Sequence, residues 1–149
     1  MTDGSGTMDK IFSSFSTLLN PSQAELTAGI SFWQDAVHAG WLEKQGDVIK
    51  TWRKRWFVLK DNKLFWFLDD DVQQCSRVRG VIDVSKCMSV KGCDDALGRE
   101  HCFELSTRNE QMYFVCATKA DKEGWLSCLG KAVVSTSRDT DGFTEYLGY

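Results

Sequence analysis

The apolar positions change period twice along this chain, and each change marks a boundary between elements. Met8, Ile11, Phe12, Phe15, Leu18 and Leu19 fall at i, i+3, i+4, i+7, i+10 and i+11, which lines one face of a helix and predicts a first helix ending near Asn20. Asn20-Pro21 stops it and restarts the chain. Proline suits the first position of a helix, asparagine the cap before it, and Ser22 with Glu25 reads as a capping box. Leu26, Ile30, Trp33 and Val37 then continue at i, i+4, i+7 and i+11, predicting a second amphipathic helix that stops around His38 to Gly40.

From Gly40 the period falls to that of strands: short β-branched and aromatic runs separated by Gly, Asp and Asn clusters. Seven strands are predicted, at 40–45, 52–60, 63–68, 79–83, 86–91, 101–107 and 111–117. Asp61-Asn62 makes a tight turn between the second and third, and Arg108 to Glu110 a turn between the last two, as in an antiparallel meander. The period then returns to a helical one. Thr118 and Asp121 open this last helix, whose apolar face is Trp125, Leu126, Cys128, Leu129, Ala132 and Val133. Residues 136–149, polar and acidic with scattered aromatics, read as a flexible tail. The predicted fold is mainly β: two near-orthogonal sheets or a partly open barrel, capped by a C-terminal helix and preceded by an N-terminal helical extension over 1–38.

Composition narrows the function. A chain of 149 residues with 42% hydrophobic content supports one globular domain with an extra segment, here placed at 39–135. No run approaches the roughly 18 apolar residues of a membrane span. The start Met-Thr-Asp-Gly-Ser-Gly carries neither a basic secretory region nor a glycine at position 2, so the expected location is cytoplasmic. Six cysteines stand singly without a C-x-x-C pair, so several are expected as small core hydrophobes, and no metal or cofactor is expected. His101 beside Cys102 lacks the spacing of a metal site.

Charge is the sharper signal. Residues 44–60 carry Lys44, Lys50, Arg53, Lys54, Arg55 and Lys60 against Asp47 alone, a local +5 on a chain of net charge -3, which leaves -8 on the remainder. Such a concentration at a β-hairpin calls for an anionic partner. Strand alternation puts Arg53 and Arg55 on one face, with Lys54 and Trp56 on the other, and Lys44 can reach the first face across the hairpin. A guanidinium presents a planar fork of donors to phosphate oxygens and a lysine adds a compact charge, so an inositol phosphate suits this set. Val48 and Ile49, apolar at the hairpin tip, are expected to enter a lipid interface. Lys50 and Lys54 are expected to face its anionic headgroups.

Five segments, Gly40-Trp-Leu-Glu-Lys44, Trp52-Arg-Lys-Arg-Trp-Phe-Val-Leu59, Lys63-Leu-Phe-Trp-Phe67, Arg79-Gly-Val-Ile82 and Trp125 in the closing helix, resemble in order and spacing the pleckstrin homology (PH) domain family. Phe103-Glu-Leu-Ser-Thr-Arg108 and Met112-Tyr-Phe114 resemble the short single-PH proteins of plants and algae. The resemblance implies that Lys44 and Arg55 hold the phosphates of a phosphoinositide headgroup with Arg53 assisting. It also brings in Arg79, and Trp66 where some members carry a tyrosine. The acidic run Asp69-Asp70-Asp71 departs from this pattern and favours a lightly charged ligand such as a monophosphorylated inositide.

The expected function is therefore a noncatalytic phosphoinositide-binding module, peripheral on endosomal or plasma membrane. The alternative is a protein-interaction module, with a protein partner or self-association through the N-terminal helices. The chain has no G-x-S-x-G, P-loop or H-E-x-x-H pattern, so an enzyme is not expected. A sequence pI of about 5.4 argues against nucleic acid.

Overall fold

The computed structural model describes residues 21–46 and 49–148, with side chains between 23 and 135. The helix expected over 8–19, and Val48, lie outside the described residues. The first described element is α1 (Pro21–Thr27), followed by strands β1 (His38–Gln45), β2 (Trp52–Lys60), β3 (Lys63–Phe67) and β4 (Gly80–Asp83). A single 3₁₀ turn, Val84–Lys86, leads into β5 (Cys87–Gly92); then come α2 (Asp94–Leu97), β6 (Cys102–Thr107), β7 (Gln111–Val115) and α3 (Lys119–Gly148). The seven strands form one antiparallel sheet in the order β4-β3-β2-β1-β7-β6-β5. Because β4 and β5 do not pair, the sheet curls into a barrel that stays open along that seam.

Turn chemistry sets the register. Asp61 and Asn62 both take positive φ, 50° and 59°, the conformation that lets a two-residue loop follow strand twist, and Lys60 then faces Lys63 across β2–β3. The closing helix begins where the threonine cap places it: Thr118 Oγ1 accepts the Asp121 N–H at 3.1 Å. Trp125, Leu129 and Val133 follow one another along its buried face and fill the barrel with Leu42, Phe57, Phe103, Leu105 and Phe114. Each such side chain contributes about 1.5–3 kcal/mol by leaving water. The backbone of α3 continues to Gly148, through the segment that composition alone reads as a tail.

The second N-terminal helix is shorter than its periodicity predicts. Gly29 takes φ +77°, which ends helical geometry just beyond Thr27, and the chain crosses the outer face of β2–β4 in turns. Phe32, absent from the predicted helical stripe, is the residue buried there, within 5.5 Å of Phe65 and 5.3 Å of Phe67. Leu26, Ile30 and Trp33 pack around it, whereas Val37, expected on the same face, is exposed. A strand-facing aromatic thus overrides the helical period.

Candidate headgroup-binding site

The hairpin β1–β2 runs beyond the core at the end of the barrel opposite α3, and its inward face there is cationic. Lys44 and Arg53 are direct cross-strand partners, and Arg55 lies opposite Leu42 on the same face, one step nearer the core. Phe57, next along that face, is fully buried and anchors the row. Alternation therefore carries core side chains into the barrel and, two residues later, aims guanidiniums at its mouth.

The five residues predicted for headgroup contact, Lys44, Arg53, Arg55, Trp66 and Arg79, line a single cleft of about 280 Å³, with Gln45, Gly46 and Phe57 completing it. Trp66 forms a wall. Its ring lies 5.5 Å from that of Phe57, and the Lys44 ammonium stands 5.6 Å from its centroid, a cation–π contact. Lys44 Nζ also donates to the Gln45 carbonyl at 3.3 Å. Arg79 is set by the strand edge, where its N–H donates to the Trp66 carbonyl at 2.8 Å.

Burial, and then the neighbouring Arg79 and Arg53 charges, press the Arg55 guanidinium below its ordinary pKa. Arg55 Nη1 donates to the Lys54 carbonyl at 2.8 Å, which orients the fork and leaves its other donors to the cleft. Among the described residues, Arg53, Arg55 and Arg79 have no carboxylate ion-pair partner. Three mutually repelling cations held together in this way favour an anion.

The loop between the strands is pinned by backbone bonds: Gly46 N–H donates to the Thr51 carbonyl at 3.0 Å, and Thr51 N–H to the Ile49 carbonyl at 2.8 Å. A side chain on Gly46 would meet that Ile49 oxygen at 2.3 Å, so the closure requires glycine. Ile49 is 63% exposed at the tip, and Lys50 beside it is exposed. Lys54 faces the other side of the sheet, with its ammonium 5.1 Å from the Trp41 ring. Lys60 is outside both groups, donating to the Gln34 carbonyl at 2.8 Å.

Three further features shape this end of the barrel, the first beyond the reach of sequence reasoning. Arg99, from the loop before β6, pairs with Glu43 at 3.5 Å and lies 5.1 Å from the Trp52 ring, bracing the outer side of the hairpin. The partners are 56 residues apart, and no local signal joins them. Asp69 and Asp71 line a hollow of about 250 Å³ next to the cleft, and Arg79 borders both. Trp41 and Trp56 are half-buried on the outer face, where their rings meet edge-to-face at 5.3 Å, while Phe57 and Trp125 are in the core.

An open antiparallel barrel, helix-plugged at one end and basic at the other, defines the PH class of fold. The chain belongs to the PH domain family, whose profile matches residues 36–134. It is 44% identical over 123 residues to pleckstrin homology domain-containing protein 1 of Arabidopsis thaliana, covering 81% of this chain and 84% of that protein. Seven other curated relatives are longer, and the chain spans 8 to 31% of their lengths. Among solved structures, the PH domain of human pleckstrin homology domain-containing protein family A member 5 matches with TM-score 0.56 at 28% identity, covering 68% of this chain and 80% of that one. The C-terminal PH domain of pleckstrin in complex with D-myo-Ins(1,2,3,5,6)P5 matches with TM-score 0.55 at 24% identity, covering 66% and 96%.

Proposed function

We propose that this chain is a noncatalytic membrane-targeting module that holds the headgroup of a phosphoinositide in the cleft of Lys44, Arg53, Arg55 and Arg79, and so docks on the cytosolic leaflet of endosomal or plasma membrane. The observation that carries this reading is the convergence of three arginines, without carboxylate partners among the described residues, on one cleft of about 280 Å³. Among the described residues its lining offers donors and positive charge but no carboxylate, imidazole or thiol, which suits holding a phosphate rather than transforming one. Asp69 and Asp71 beyond Arg79 oppose additional phosphates on that side and favour a monophosphorylated inositide. The exposed Ile49 then enters the interface while Lys50 and Lys54 face anionic headgroups.

A liposome panel covering the phosphatidylinositol phosphates, with phosphatidylserine controls at two salt concentrations, tests the proposal. A preference for one monophosphate that survives the higher salt, and is lost on Arg55→Ala, is expected. Equal, salt-sensitive binding to all anionic vesicles would overturn it.

A further inference from the structure

On the far side of the hairpin a second cleft, of about 410 Å³, shares no lining residue with the basic one. Its origin is a gap in the sheet. β1 extends from His38 to Gln45, yet β7 ends at Val115 opposite Glu43, so the stretch from His38 to Leu42 runs past the end of β7 with no strand residue of it opposite. Trp125 of α3 comes up beneath this gap. Its ring packs edge-on to His38 at 4.5 Å, and a methyl group on Gly40 would stand 3.4 Å from its Nε1.

Trp125 is 1% exposed, and its indole N–H has no acceptor among the described residues. Buried indole N–H groups are ordinarily bonded, so an orphan donor lining a cleft calls for an acceptor from outside. The rim is aromatic: Trp41 and Trp56 meet edge-to-face at 5.3 Å, with the Lys54 ammonium over Trp41. At the α3 end stands Asp121, exposed and without an ion-pair partner among the described residues. His38 beside it adds no cation at neutral pH, because burial lowers its pKa more than Asp121 raises it. Among the described residues, the groups of the cleft without an ion-pair or hydrogen-bond partner are thus one N–H donor, the Asp121 carboxylate at the α3 end and the Lys54 ammonium at the Trp41 rim, beside two indole rings.

We propose that this cleft binds a proline-rich polypeptide segment in the polyproline II conformation, flanked by a basic residue. Such a helix makes no internal hydrogen bonds, so its carbonyls are open to the Trp125 N–H, and proline itself brings no competing N–H donor. Its pyrrolidine rings pack on indoles, the chemistry by which aromatic grooves read proline-rich segments. The flanking cation complements Asp121.

The test is a titration of the full chain with an octaproline peptide carrying an N-terminal arginine, followed by the six tryptophan indole N–H signals in proton–nitrogen NMR spectra. The Trp125 signal is expected to shift downfield saturably, together with those of Trp41 and Trp56. Gly40→Ala, which places a tolerated methyl over Nε1, is expected to weaken binding at least tenfold, and Trp41→Ser to a similar extent. Asp121→Asn is expected to weaken the arginine-bearing peptide severalfold and leave octaproline without the arginine unchanged. Arg55→Ala should leave all of this intact, which separates the cleft from the phosphoinositide reading. The proposal is overturned if the Trp125 signal does not saturate at millimolar peptide, or if an arginine-bearing glycine-serine peptide of the same length binds equally well. Undiminished binding by a Gly40→Ala variant with native signal dispersion would overturn it too.

Discussion

The indole of Trp66 occupies the space in which residue 80 would carry a side chain: a methyl group on Gly80 would lie 2.0 Å from its Cζ2. The two are cross-strand partners in β3–β4, so the absence of a side chain at one position lets the other form the wall of the basic cleft.

Gly80→Ala therefore forces the ring away from Gly80 or strains the β3–β4 pairing. Overpacking of this kind costs about 1–3 kcal/mol. In a domain of this size each 1 kcal/mol lowers Tm by roughly 2–8 °C. Thermal unfolding followed by near-ultraviolet circular dichroism should show a lower Tm and an altered tryptophan signal. An unchanged Tm would mean that the ring moves without cost.

Arg53 and Lys54 are neighbours in sequence and lie on opposite faces of β2. Arg53→Ala and Arg55→Ala should each weaken binding of a soluble inositol phosphate about tenfold or more, in line with the roughly 1.5–3 kcal/mol of a charge-assisted hydrogen bond. Arg55→Lys should recover only part of this, since an ammonium cannot reproduce the planar fork. Lys54→Ala should leave soluble headgroup binding unchanged while weakening attachment to anionic vesicles. Isothermal titration beside vesicle sedimentation separates the two effects, and an equal loss for Lys54→Ala in both would contradict the facial division.

Asp94 ties the loop before β6 to the closing helix. Its carboxylate accepts from Lys122 Nζ and Cys102 N–H, both at 2.8 Å, and from His101 N–H at 3.1 Å. These bonds, that from Lys122 foremost, hold its pKa down to about 2. Because the folded value lies below that of an unfolded aspartate, about 3.9, the stabilisation is complete above roughly pH 4 and lost as pH falls toward 2. Denaturation midpoints should drop across that interval in the native chain and change less in Asp94→Asn. At 40% exposure the carboxylate is partly screened, so high salt should reduce the difference.

Burial pushes the Cys87 and Cys116 thiols up to about 12 and those of Cys93 and Cys128 to about 11, and it also raises Cys102. Cys75 is exposed. A chromogenic disulfide reagent at pH 7 should therefore label Cys75 quickly in the native protein, the half-buried Cys128 more slowly, and the four buried thiols only on unfolding. Rapid reaction of Cys87 or Cys116 would show that the barrel opens locally.

Much of the fold is legible without the third dimension. β2 begins and ends where its pattern predicts, because a run of alternating aromatic, β-branched and basic residues bounded by Thr51 and Asp61-Asn62 admits little else. Alternation likewise separates Arg53 and Arg55 from Lys54, and Trp66 and Arg79 enter through resemblance to the family. The N-terminal strap is less legible. Leu26, Ile30, Trp33 and Val37 keep a helical period, but Gly29 at positive φ and the burial of Phe32 against Phe65 and Phe67 end the helix early. Local periodicity is a sum of weak preferences, and one large buried ring outweighs it.

What the sequence determined by itself is which residues can be core, where the chain turns, and that a set of cations shares one strand face; these follow from the period of side chains and the φ preferences of single residues. What only the tertiary structure decided is which distant residues share a cavity. Trp66 over Gly80, Asp94 bonded to Lys122, Arg99 bracing Glu43, and the Trp125 indole without an acceptor among the described residues where β1 runs past the end of β7 all join parts of the chain that no local rule connects. The physical reason is the packing of the helix-plugged barrel, which sets the distances between side chains far apart in sequence.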